Sequence, residues 1–90
     1  MEEYSYPIDE DWTTDEIIDA VAFFEAVEKA YDGGVPAEEL KRKYETFKRI
    51  VPGKSQEKTK FREFKSNSGL EAYTAVKKLK DAEPDSMIRV

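Results

Sequence analysis

The segment Thr13–Gly34, TTDEIIDAVAFFEAVEKAYDGG, opens on a helix start signal, closes on a helix stop signal, and places its apolar residues at helical spacing in between. Thr13 and Glu16 have the spacing of a capping box, in which the threonine hydroxyl accepts from the amide three residues on and the glutamate carboxylate accepts from the threonine amide. Asp15 and Glu16 also sit at the positive end of the helix dipole. Gly33 and Gly34 enter the left-handed region freely, so the helix is expected to end near Tyr31. Projected at roughly 100° per residue, Ile17, Ala20, Val21, Phe23, Phe24, Val27, Ala30 and Tyr31 cover about half the circumference. That face is too wide for a single neighbour and suits a central helix. Ile18 falls on the otherwise polar side.

Three more segments repeat with helical period, and none alternates as a half-buried strand does. Pro36 suits the first turn of a second helix, where its missing amide hydrogen costs nothing. Ala37, Leu40, Tyr44, Phe47 and Val51 then form one seam, which Pro52-Gly53 ends. Ser55 can cap a third helix of about one dozen residues, anchored by Phe61 and Phe64. Ser68-Gly69-Leu70-Glu71 repeats the capping-box spacing and opens a fourth helix with Leu70, Tyr73, Val76 and Leu79 on one face. The expected fold is all-α: a small four-helix bundle, possible in an orthogonal variant, preceded by an extended N-terminal arm. Residues 1–90 form one helical domain, with 1–12 as the arm and 85–90, DSMIRV, as a tail that is either frayed and disordered or tucked against the bundle.

The arm carries an aromatic cluster, YSYPIDEDW over Tyr4–Trp12. Trp12 precedes the cap residue and Ile17 holds the fourth helical position, the two places of a hydrophobic staple. Pro7 restricts Tyr6 to extended backbone, so Tyr4, Tyr6 and Ile8 can lie along a groove. The same aromatic residues are favoured interface anchors, so the segment reads either as a packing arm or as a docking site.

Composition removes several chemistries. The chain has no cysteine and no histidine, which excludes disulfides, thiol nucleophiles and the commonest general base and nitrogen metal ligand. Asp9-x-Asp11-x-Thr13 begins like a calcium loop, but Thr14 stands at the sixth position where glycine makes the turn and Ala20 at the twelfth where a bidentate carboxylate is needed. Asp15, Glu16 and Asp19 lie opposite the apolar arc, where nothing raises a carboxyl pKa for acid catalysis. The glycines are scattered helix stops rather than a phosphate loop. No catalytic residue, metal or cofactor is expected, and the chain is read as a non-enzyme. Without a basic, apolar leader or a membrane-spanning run, it is expected to be a soluble cytoplasmic protein with no membrane partner.

Charge is polarised along the chain. Residues 1–32 carry eleven acids and one base, whereas residues 33–90 carry nine acids and fourteen bases. The basic part is sharpest over Lys41–Lys65, with ten Lys or Arg against Glu45, Glu57 and Glu63. Two readings follow. The basic region can pair with acidic surface, within the fold, in a homodimer or in an unidentified protein partner. Alternatively it can contact RNA or DNA, although a net charge of −5 opposes approach to a polyanion. Phe61 and Phe64, the only large apolar anchors of the third helix, are read as core rather than as base-stacking platforms. The candidate interaction residues are Tyr4, Tyr6, Trp12, Ile18, Lys41, Lys48, Arg49, Lys58, Arg62 and Lys65, in a protein–protein interaction module.

The stretches YSYPIDEDWTTDEI, FFEAVEKAYDGGV, YETFKRIVP and KFREFKSNSGLEAYTAVKK together resemble the YktA-like family of small uncharacterised proteins of Bacillus-type bacteria, uncharacterised protein family 223. The likeness runs from Tyr4 to about Lys80. It implies an all-helical bacterial cytoplasmic protein without an assigned activity, and no family site residues to carry over.

Overall fold

A computed structural model of the chain describes residues 6–90. Its elements are α1 (Thr14–Tyr31), β1 (Val35–Pro36), α2 (Ala37–Ile50), α3 (Lys54–Ser68), α4 (Ala72–Lys80) and β2 (Met87–Ile88). The fold is all-α apart from one minimal antiparallel ladder, Val35 opposite Ile88 and Pro36 opposite Met87. Among the described residues, no helix is long and apolar enough to cross a membrane. The radius of gyration of 12.3 Å is close to the roughly 12 Å of a closely packed chain of this length.

The capping box forms as its spacing implies: the Glu16 amide donates to Thr13 Oγ1 at 3.2 Å and the Thr13 amide to Glu16 Oε1 at 2.8 Å. The double glycine then turns the chain, Gly33 at φ +107° and Gly34 at φ +128°. Gly34 is needed twice over, because a Cβ there would stand 3.0 Å from Arg89 Cγ. α1 packs most extensively along α2, with α4 and β1 also against it.

All five phenylalanines meet in one core. Phe23 stacks on Phe47 at 4.8 Å and Phe61 at 5.9 Å, while Phe24 stacks on Phe64 at 4.6 Å and meets Phe47 edge-on at 5.4 Å. Adjacent aromatic residues on α1 therefore hold α2 and α3 together, which is why its apolar arc is wide. Tyr6 of the arm stacks on Phe24 and Phe64, and Pro7 beside it is buried.

Several boundaries differ from the sequence reading. Pro36 stands one residue before α2, extended at φ −57° and ψ 133°, because it serves the ladder first. α3 begins at Lys54 with Gly53 as its cap, so Ser55 lies inside the helix and caps nothing. Ser68 does not open α4. It ends α3, its hydroxyl donating to the Phe64 carbonyl at 2.7 Å, and Gly69 at φ +79° stops the helix. Glu71 caps α4 instead, its carboxylate accepting from the Tyr73 amide. The inward face of α4 is consequently Ala72, Ala75, Val76 and the half-buried Leu79, and Tyr73 points outward at 51% exposure.

The tail is tucked, not frayed. Ile88 is buried, the Val90 amide donates to the Ala30 carbonyl at 2.9 Å, and Arg89 Nε donates to the Gly33 carbonyl at 2.9 Å. The Ala37 amide, the first of α2, donates to the Ser86 carbonyl, so the tail satisfies a helix terminus that has no side-chain cap.

A pair of hydrogen bonds ties the end of α1 to the start of α4. Tyr31 Oη donates to the Glu71 carbonyl at 3.0 Å and accepts from the Glu71 amide at 3.1 Å. Tyr31→Phe leaves the half-buried Glu71 amide without this partner and takes one of two bonds from its carbonyl, which as the α4 cap still accepts within the helix, so it is expected to lower stability by about 1–3 kcal/mol, read as a lower urea midpoint with an unchanged slope.

Candidate functional site

Helices α2, α3 and α4 enclose an open groove of about 760 Å³, lined by Tyr44, Lys48, Lys54, Glu57, Lys58, Phe61, Arg62, Lys65, Glu71, Tyr73 and Lys80. Six of these side chains are basic and two are acidic, and both acids are engaged. Glu57 Oε2 pairs with Lys48 Nζ at 3.5 Å and accepts from Tyr44 Oη at 2.7 Å, while Glu71 pairs with Lys65 at 3.5 Å. Burial and the Glu57 carboxylate push the Tyr44 phenol above its ordinary range, so it stays a neutral donor. Lys54, Lys58, Arg62 and Lys80 are exposed and have no ion pair among the described residues.

The helix geometry explains the arrangement. Lys54, Lys58 and Arg62 recur every fourth residue and therefore form one stripe along α3, about 6 Å apart. Phe61 lies at 5% exposure on the core side of that stripe, contributing only an edge to the groove floor. Tyr73 and Lys80 reach the opposite wall from the outer face of α4. The result is a cationic channel with one half-exposed aromatic ring, a surface suited to carboxylates and a flat or apolar side chain.

Of the residues singled out from sequence, the groove brings together Lys48, Lys58, Arg62 and Lys65. Lys41 lines a neighbouring hollow of about 590 Å³ between α2 and α4, and Arg49 is exposed and lines neither. Ile18 stands 59% exposed on the polar side of α1. Tyr6 and Trp12 pack against the core instead. Trp12 is half-buried, with Lys60 Nζ 5.4 Å from its ring centroid and the same amine 3.5 Å from Asp9 Oδ1. Tyr4 lies outside the described residues. Sequence reasoning missed Tyr73 and Lys80, whose signal was the alanine pair Ala72 and Ala75: counting small residues as core turns Tyr73 outward.

A second, smaller site fastens the arm. Tyr6 Oη donates to Glu28 Oε1 at 2.9 Å, and Glu28 Oε2 is buried without a hydrogen-bond partner among the described residues. Burial raises the Glu28 pKa above its ordinary 4.5, the tyrosine hydrogen bond opposes this, and Glu25 adds to the rise. A carboxyl raised in the folded state binds its proton more tightly there. Its cost is absent below the unfolded value and grows as pH rises through the folded one. Glu28→Gln is therefore expected to melt higher than the parent at pH 7, by under about 1 kcal/mol, and the two curves are expected to converge below pH 4.

A model of the uncharacterised protein family UPF0223 matches residues 3–88. The chain is 49% identical over 88 residues to a UPF0223 protein of Bacillus pumilus, covering 98% of this chain and 99% of that one. It is 47% identical over 81 residues to the UPF0223 protein YktA of Bacillus subtilis, covering 90% and 92% of the two chains. A UPF0223 protein of Listeria monocytogenes is 46% identical over 80 residues, 89% of each chain.

Proposed function

The chain belongs to the uncharacterised protein family UPF0223, and from that premise and the groove's geometry we propose that it is a protein-binding module without catalytic activity, which captures an acidic segment of its partner between α3 and α4. The observation that carries this reading is the stripe Lys54, Lys58 and Arg62 facing Lys80 across the groove, uncompensated among the described residues and beside the half-exposed ring of Tyr73. Carboxylates in the ligand would meet these charges, and an aromatic or aliphatic side chain would cover Tyr73. Such a module acts as an adaptor in the cytoplasm.

Single-stranded nucleic acid is the competing ligand for a basic groove, and the shortage of exposed rings favours protein. Phe61 is buried and Tyr44 is half-buried with its hydroxyl on Glu57, so Tyr73 is the one well-exposed ring among the groove residues, whereas strand-binding grooves set several rings in succession.

Fluorescence anisotropy separates the two. A labelled peptide of alternating aspartate and glutamate with one central tryptophan is expected to bind at low salt and to be displaced by its unlabelled form. A labelled single-stranded RNA of matched charge is expected to bind at least about tenfold more weakly. Tighter RNA binding with a steep salt dependence would replace this reading by the nucleic-acid one.

A further inference from the structure

We infer that the acidic face of α1 on a second copy of this chain is an occupant of the groove, an inference that rests on reading the groove as a receptor for acidic segments. The opposite charge is present on the same molecule. Asp11, Asp15 and Asp19 are exposed and have no ion pair among the described residues. Ile18, at 59% exposure the most exposed large apolar side chain among the described residues, stands beside Asp15 and Asp19.

The two surfaces match in spacing as well as in sign. Asp15 and Asp19 are four residues apart on α1, and Lys58 and Arg62 are four residues apart on α3, so each pair spans about 6 Å along its helix. Lys54, at the start of α3, continues the basic row at the same interval, and Asp11, in the turn before α1, adds a further acid at that end of the acidic face. Laid alongside α3, α1 of another copy can set each carboxylate against a base while Ile18 reaches toward Tyr73. Burying Ile18 and Tyr73 supplies the apolar contact that exposed ion pairs alone do not.

A contact between two different faces is heterologous, so its assemblies close as rings or extend. Charge pairing at the surface is screened within about 10 Å at 0.1 M salt, so association strengthens as salt falls.

Sedimentation velocity at several protein concentrations tests this. The unaltered protein is expected to gain mass with concentration at low salt and to return to the monomer at high salt. Asp15→Lys with Asp19→Lys, and separately Lys58→Glu with Arg62→Glu, are each expected to remain monomeric. An equimolar mixture of the two variants is expected to associate again through the exchanged charges. Asp15→Asn with Asp19→Asn, which puts no positive charge at the start of α1, is expected to be monomeric too. A protein that stays monomeric at low salt while still binding the acidic peptide overturns the self-contact and leaves the groove reading standing. Association that survives all three variants also overturns it. Loss of both self-association and peptide binding in the unaltered protein overturns the groove reading itself.

Discussion

Phe24→Ala is expected to remove about 3–5 kcal/mol of folding free energy, the largest effect of any single truncation considered for this chain. Phe24 has no exposed surface, and its ring meets Phe23 at 5.2 Å, Phe47 at 5.4 Å, Phe64 at 4.6 Å and Tyr6 at 6.3 Å. One side chain thus touches α2, α3 and the arm at once. No neighbour can collapse into the space without withdrawing from another, which is the condition under which a cavity costs most. A domain of 90 residues has roughly 5–13 kcal/mol in total, so the variant is expected to populate unfolded chain at ordinary temperature. Urea denaturation followed by circular dichroism measures the change. A loss below 1 kcal/mol would mean that the aromatic core is not the organising contact.

The second large effect is functional and leaves the fold alone. Lys58→Glu together with Arg62→Glu is expected to weaken capture of the acidic tryptophan peptide by at least about tenfold, because two attractions become two repulsions at the centre of the α3 stripe. Neither side chain has an ion pair among the described residues, and both are exposed, so the melting temperature is expected to change little. The contrast with Phe24→Ala separates binding from stability: one variant folds without binding, and the other weakens binding only in proportion to the unfolded fraction. Lys48→Ala is a useful comparison. It frees Glu57, which sits in the groove and accepts from Tyr44, so an uncompensated carboxylate would then oppose the ligand.

How much of this was legible beforehand depended on how local each signal was. α1 could be read because its start and stop are short-range devices: a hydroxyl and a carboxylate three residues apart, and two glycines with positive φ. The seam Ala37, Leu40, Tyr44, Phe47 and Val51 survived because helical period alone sets all five on the buried side, although Tyr44 is only half-buried. α4 was misplaced by a spacing match. Ser68 and Glu71 have capping-box separation, but Gly69 between them ends α3 in the left-handed region, so the pair straddles a turn. Moving the start to Ala72 rotated the inward face onto alanines and put Tyr73 outside. The ladder of Val35–Pro36 with Met87–Ile88 has two residues on each strand, too few for any periodic pattern, and its register depends on Gly34 accommodating Arg89.

The groove was legible as charges and illegible as a place. Lys48, Lys58, Arg62 and Lys65 stood out in the basic stretch, whereas Lys41 and Arg49 stood out equally and lie elsewhere. What gathers four of the six is the packing of α2, α3 and α4 around one groove, a tertiary fact marked by the Lys48–Glu57 pair between α2 and α3 and the Lys65–Glu71 pair between α3 and the cap of α4. The arm was the converse case. Pro7 and Tyr6 suggested either packing or docking, and the partners that Tyr6 meets, Phe24, Phe64 and Glu28, are none of them near it in sequence.

The most direct test of the groove is titration of the isotopically labelled protein with the acidic tryptophan peptide, following backbone amide resonances. The account predicts saturable shifts concentrated at Lys54, Lys58, Arg62, Tyr73 and Lys80, with Trp12 and Lys60 unmoved. Shifts centred on Trp12 and Lys60, or none at any residue at low salt, would contradict it.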